Sequence, residues 1–168
     1  MPELVILNPD QPRTFALVLG EGESVTDALD AFAAAQRVTA AAVTAIGGFS
    51  AATLGFFDLA ERTYAEIPVR EQAEVLSLVG DIGRHDDGRV ALHAHAVLGL
   101  RDGSTRGGHL LAATVRPTLE VMVTESPGEL RRRYREDLGL ALIDPGESRA
   151  PRTPGFTPDD PLRHGLAP

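Results

Sequence analysis

The chemistry open to this chain rests on its imidazoles, and three of the five lie within "VALHAHAVLGLRDGSTRGGHLL", residues 90–111. His93 and His95 stand at i and i+2 of a segment that reads as a strand, so their side chains leave the same face. Two imidazoles on one face of a rigid element make half a metal site, and His109, after Gly107-Gly108, offers a third ligand. Three neutral imidazoles suit a borderline cation such as zinc at about 2.0–2.1 Å and leave a fourth position open to water. An open site of that kind turns water into hydroxide near neutral pH. The competing reading makes each ring a hydrogen-bonded core residue, and spacing alone leaves both readings open.

Geometry raises an objection to convergence. If 89–100 and 107–114 form a simple hairpin about "DGST", mirror pairing sets His95 opposite residue 112. His109 then lies about 10 Å along the strand at 3.3 Å per residue. Bringing the rings together requires a bulge at Gly107-Gly108, another strand pairing, or a site shared between subunits. The His-x-His spacing also occurs in cupins, whose motif continues with a nearby glutamate; Leu98 and Gly99 occupy that stretch here.

Carboxylates are the other candidates. Glu74 opens "EVLSLVGDI", Asp81 follows Gly80, and Glu120 lies within "TLEVMV". Burying a carboxylate in such a strand is costly unless it meets an arginine, a hydrogen-bond donor or a metal. Glu120 is a candidate ligand or base, with a structural pair to an arginine such as Arg116 as the alternative. Glu74 and Asp81 are expected at strand ends. The "RRRYR" cluster at 131–135 is interrupted on both sides by Glu129, Glu136 and Asp137 and reads as a solvated helix face. His85 and His164 read as exposed loop residues.

The elements that must position these groups follow from composition and pattern. The 168 residues suit one domain. Cysteine and lysine are both absent, which excludes disulfides, thiolate chemistry, Schiff bases and a phosphate-binding Gly-Lys-Ser/Thr loop. A net charge of −8 argues against broad nucleic-acid binding. No basic leader precedes an apolar run at the start, and no apolar stretch reaches the roughly 20 residues of a membrane helix, so a cytoplasmic protein is expected.

"RTFALVLG" alternates as a strand, and "SVTDALDAFAAAQ" reads as a helix with Ser24 as N-cap and Asp27 at the capping-box position. The segments that follow read as successive strands, with breaks at Gly47-Gly48, Asp86-Asp87-Gly88 and Asp102-Gly103. "SPGELRRRYREDLG" is a second helix candidate, capped by Ser126 and stopped by Gly139. The fold class is therefore α+β (α/β), a mainly antiparallel sheet with one or two packed helices. The domain is expected over 1–143, with an irregular Pro-rich tail over 144–168.

"RTFALVLGEGESV", "EVLSLVGDIG" and "LHAHAVLG…GGHLLAATVRPTLEVMVTE" together resemble the PPC family, the domain named for plants and prokaryotes, over roughly residues 12–125. The resemblance implies a mainly antiparallel domain assembled as a homotrimer. It marks His93, His95 and His109 as ligands of a divalent metal, zinc above others. Plant members carry AT-hooks before the domain and bind DNA, but the Arg-Gly-Arg-Pro core of that hook is missing here. Ala73 stands where the family usually has an aromatic residue. The expectation is a stand-alone homotrimer that holds a metal and a small-molecule ligand. The alternatives are a metal-dependent enzyme using Glu120 or Glu74 as proton acceptor, or a DNA-associated regulator.

Overall fold

The computed structural model describes residues 3–8 and 12–148. Nine strands and one helix follow in the order β1 (Glu3–Asn8), β2 (Thr14–Gly20), α1 (Val25–Gln36), β3 (Ala40–Asp58), β4 (Thr63–Val69), β5 (Ala73–His85), β6 (Val90–Gly99), β7 (Thr105–Glu125), β8 (Arg131–Arg135) and β9 (Leu140–Ile143). The architecture is mainly antiparallel sheet with a single helix among the described residues, and β5–β8 is the one parallel pairing.

Helix α1 begins where its chemistry says it should. Ser24 Oγ accepts from the Asp27 N–H at 3.5 Å, and the helix ends at Arg37 in the left-handed region, with Val38 N–H on the Ala33 carbonyl at 2.9 Å. Its buried stripe of Val25, Leu29, Phe32 and Ala33 packs on the sheet, with Phe32 edge-on to Phe15 at 5.1 Å. Phe49, Leu54, Leu78, Ile82, Leu98 and Leu119 complete the core, all essentially inaccessible to water. A mainly aliphatic core of this kind gains its stability from buried area, about 25 cal/mol per Å².

Sheet closure positions the site. Strand β3 pairs with both β5 and β7, and β6 pairs with those same two strands, so the four form a ring without a free edge between them. The closure requires two long strands where shorter ones were expected. Gly47-Gly48 does not end a strand; β3 runs through it with register shifts at 45/47, 47/49 and 49/51. A Cβ on Gly47 would lie 2.3 Å from the Thr118 carbonyl oxygen, and one on Gly48 2.3 Å from that of Arg116, so these glycines permit backbones to approach. Pro117 falls in the same interruption of the β3–β7 ladder, where no N–H is required of it.

The second expected helix is absent. Residues 131–143 form the β8–β9 hairpin, turned at Gly139 with φ 75°, and β8 joins the end of β5 through Arg84↔Arg131 and His85↔Arg132. Helix propensity is a weak local preference, and here an open strand end and a buried ion pair outweigh it. The arginine run is accordingly not one solvated face. Alternation buries Arg132 at 4% exposure and leaves Arg133 and Arg135 outside, paired with Glu147 and Asp137. No helix among the described residues is long and apolar enough to cross a membrane. His164 and residues 149–168 of the expected tail lie outside the described residues.

Candidate metal centre

His93, His95 and His109 meet in one cluster because the hairpin is tighter than mirror pairing suggests. The β6–β7 ladder sets Gly99 opposite Thr105 and His95 directly opposite His109. The turn is only Leu100–Ser104: Leu100 N–H donates to the Ser104 carbonyl at 2.8 Å, Gly103 takes φ 83°, and Asp102 Oδ1 accepts from the Ser104 N–H and hydroxyl at 2.8 and 2.6 Å. Thr105 and Arg106 thus belong to the strand, and the register moves by three residues. No bulge at Gly107-Gly108 is needed. Gly108 instead admits β3, since a Cβ there would lie 2.7 Å from the Gly55 carbonyl oxygen.

Along β6, Ala94, Ala96 and Leu98 face the core while His93, His95 and Val97 take the opposite face. Ring centroids lie 5.5 Å apart for His93–His95, 5.1 Å for His93–His109 and 5.3 Å for His95–His109. One nitrogen from each ring falls within 4.8 Å of those from the other two. All three rings come from a single chain.

Two neighbours hold the cluster. Tyr64 from β4 stacks on His109 with centroids 4.9 Å apart and an interplanar angle of 25°. Asp81 is the cross-strand neighbour of His93, so it sits mid-strand and half-buried rather than at a strand end. Arg132 donates through Nη2 to both Asp81 oxygens, at 2.6 and 2.8 Å, and the same nitrogen stands 3.0 Å from His93 Nδ1. His93 Nδ1 thus faces the Arg132–Asp81 pair.

Electrostatics disfavours protonation of two of the three rings. Burial first, then the charges of His93, His95 and Arg132, push His109 down to about 4. Burial, followed by the His93 charge, lowers His95 as well. Burial works to raise the Asp81 carboxyl, yet its partners together hold it below the usual carboxylate range. We assign that lowering chiefly to Arg132 at 2.6 Å, because the His93 Nδ1–Asp81 Oδ2 separation of 3.7 Å exceeds a hydrogen bond. Neutral imidazoles at pH 7 are the form that binds metal.

The donor set passes a simple test for a cation. His109 Nδ1 is buried with no hydrogen-bond partner, a costly state for a ring nitrogen in a packed sheet. An all-imidazole trio suits zinc and its neighbours better than magnesium or calcium, which prefer oxygen. The expected carboxylates stand elsewhere. Glu74 and Glu120 are exposed, neither lines the histidine cavity, and Arg116 pairs with Glu21 at 3.4 Å rather than with Glu120. That cavity, of about 750 Å³, includes the half-buried His85, which is therefore not a freely exposed loop residue. Sequence reasoning missed Arg132 altogether. Its only signal was an alternating charged run that suits a strand as well as a helix.

A ring-closed antiparallel sheet carrying three imidazoles on its outer face defines the class of protein. The profile of the Plants and Prokaryotes Conserved (PCC) domain matches residues 7–127, and the chain belongs to that family, also written PPC. Solved structures agree in fold. A proposed DNA-binding protein from Bacteroides thetaiotaomicron is 28% identical, with a TM-score of 0.78, covering 86% of this chain and 97% of its own. A PPC protein from Pyrococcus horikoshii is 27% identical, with a TM-score of 0.73 and coverage of 86% and 94%. A protein from Archaeoglobus fulgidus described as metal-containing is 30% identical, with a TM-score of 0.73 and coverage of 86% and 98%. Among curated proteins, no sequence match was found.

Proposed function

We propose that this chain is a metal-binding protein that holds one divalent cation, zinc in preference to harder ions, through His93, His95 and His109. The observation that carries this reading is the meeting of three imidazoles, one with an orphaned buried nitrogen, on a stiff sheet. The likeness to a metal-containing archaeal protein of the same fold supports it. Three protein ligands leave a coordination position for water or a small ligand, which is the arrangement of open rather than structural sites. Asp81 stands beside His93 where a carboxylate would orient a ligating ring.

Assembly as a homotrimer belongs to the same proposal. Val79, Thr44 and Met122 lie in one cross-strand row with His95, and Val97 and Ile46 extend that face. Four of these are large apolar side chains open to solvent, Ile46 at 60%, and a contiguous exposed apolar face marks an association surface. A DNA-binding role has less support, because the arginines of 131–135 are engaged with Asp81, Glu129, Glu147 and Asp137.

The test is elemental analysis of protein purified without a histidine tag, alongside the triple His93→Ala, His95→Ala, His109→Ala variant. The expected result is one equivalent of metal per chain, lost in the variant. Metal-free protein that takes up none on dialysis against zinc, or a variant that retains it, overturns the reading.

A further inference from the structure

Resting on the metal reading, we propose that Arg132 is a positioning residue of the histidine cluster: it closes the Nδ1 edge of His93, leaving Nε2 as that ring's donor, and restrains cation affinity by occupying Asp81. The guanidinium arrives on β8, whose backbone joins the end of β5 at Arg84↔Arg131 and His85↔Arg132. Its nitrogens are all engaged. Nε stands 3.3 Å from Asp81 Oδ1, Nη1 donates to the Ala141 carbonyl at 3.4 Å, and Nη2 reaches both Asp81 oxygens at 2.8 and 2.6 Å. A side chain so buried and so held has little rotamer freedom, and the nitrogen it fixes is the one 3.0 Å from His93 Nδ1.

Charge gives both consequences. A guanidinium is always positive and has no lone pair, so a cation finds no place at the Nδ1 edge and meets His93 at Nε2. Asp81 is the cross-strand neighbour of His93 and bears the sign that favours a cation. Its Oδ2 nevertheless stands 3.7 Å from Nδ1, beyond a hydrogen bond, while Arg132 cancels its charge at 2.6 Å. A free carboxylate beside a ligating ring strengthens a metal site; an occupied and neutralised one does so far less. Arg132 therefore competes with the cluster for Asp81. The rings and Asp81 fall within the family-matched residues 7–127, whereas Arg132 lies beyond them. The profile thus covers the ligands and their carboxylate, and the hairpin that follows it supplies the restraint.

The experiment is competition for zinc between a chelating indicator and the full chain, as wild type, Arg132→Met, Asp81→Asn and the double variant, with metal content and thermal unfolding recorded for each. Arg132→Met frees Asp81 while keeping much of the buried side-chain volume, and zinc is expected to bind about tenfold tighter. The double variant again has no net charge at the pair and is expected to return to within about threefold of wild type. A purely structural arginine gives the opposite sign, weaker binding on its removal. Arg132→Gln, which can still donate to the carboxylate, is the second variant, with a gain in the same direction should Arg132→Met fail to fold. Nitrogen-15 spectra of the zinc-loaded wild type need no variant and are expected to show His93 ligated through Nε2. Failure of the wild type to load zinc overturns the metal reading and this proposal together. Full zinc stoichiometry with affinity unchanged or weakened in the Arg132 variants overturns this proposal and leaves the metal reading standing. A gain that persists in the double variant, or His93 ligated through Nδ1, does the same.

Discussion

The two faces of strand β6 divide the labour of the molecule. Ala94, Ala96 and Leu98 point inward and are almost wholly buried; His93, His95 and Val97 point outward beside a cavity. The faces differ in side-chain volume and in what a missing atom costs. Inward, a lost methylene leaves a void among close-packed neighbours. Outward, a lost nitrogen is expected to leave the sheet intact and remove a candidate ligand. The pleat's period of two lets one ten-residue strand serve packing and chemistry without compromise between them.

The sharpest way to test this division is to truncate each face in turn. Leu98→Ala is expected to cost about 2–5 kcal/mol of stability, as for other fully buried leucines, with metal stoichiometry unchanged in the folded fraction. Denaturant unfolding followed by metal analysis checks both halves. Equal destabilisation by His95→Ala would abolish the distinction between the faces.

A weaker effect is expected where the outer face is only oriented. Asp81→Asn keeps the shape beside His93 and removes the carboxylate charge, so zinc affinity should fall about 10–100-fold, the range for loss of a partner that orients a ligating ring. Competition with a chelating indicator gives the number. An unchanged affinity would reduce Asp81 to a structural partner of Arg132.

The last expected effect is in pH. In the metal-free protein, His109 is held down at about 4, below its ordinary value of 6.5. Between those values the unfolded chain binds a proton at this ring and the folded chain does not. Stability contributed by the neutral ring is therefore full above about pH 6.5 and is lost as pH falls toward 4. Unfolding midpoints for the metal-free protein at several pH values in that window should decline, and His109→Phe should flatten the decline. An equal slope in the variant would place the effect elsewhere.

Much of this architecture was legible in local pattern. Ser24 and the stripe from Val25 to Phe32 mark α1, and alternation marks β2, β5 and β6, because capping and amphipathic periodicity act over a few neighbouring residues. The three histidines were legible as candidates by type and by the shared face of His93 and His95. Their distance to His109 was not, since β7 begins two residues earlier and β6 ends one residue earlier than mirror pairing assumes, which together move the cross-strand partner by three positions. Residues 126–139 mislead for a related reason. Their capping signals are genuine helix signals, but Arg132 gains a buried carboxylate on β5, some 50 residues away in sequence, only if the segment is extended.

The chain's own order of residues bounds the donor chemistry: no thiol and no lysine amine, imidazoles and carboxylates remaining, and a strand that turns two imidazoles to one side. The tertiary structure alone decides that a third ring stands across from the second, that Asp81 and Arg132 neutralise each other beside the first, and that Glu74 and Glu120 stay outside. The reason is that residue type and pleat are local properties, whereas register, burial and charge pairing are contacts between segments distant in sequence, set by how the whole sheet closes.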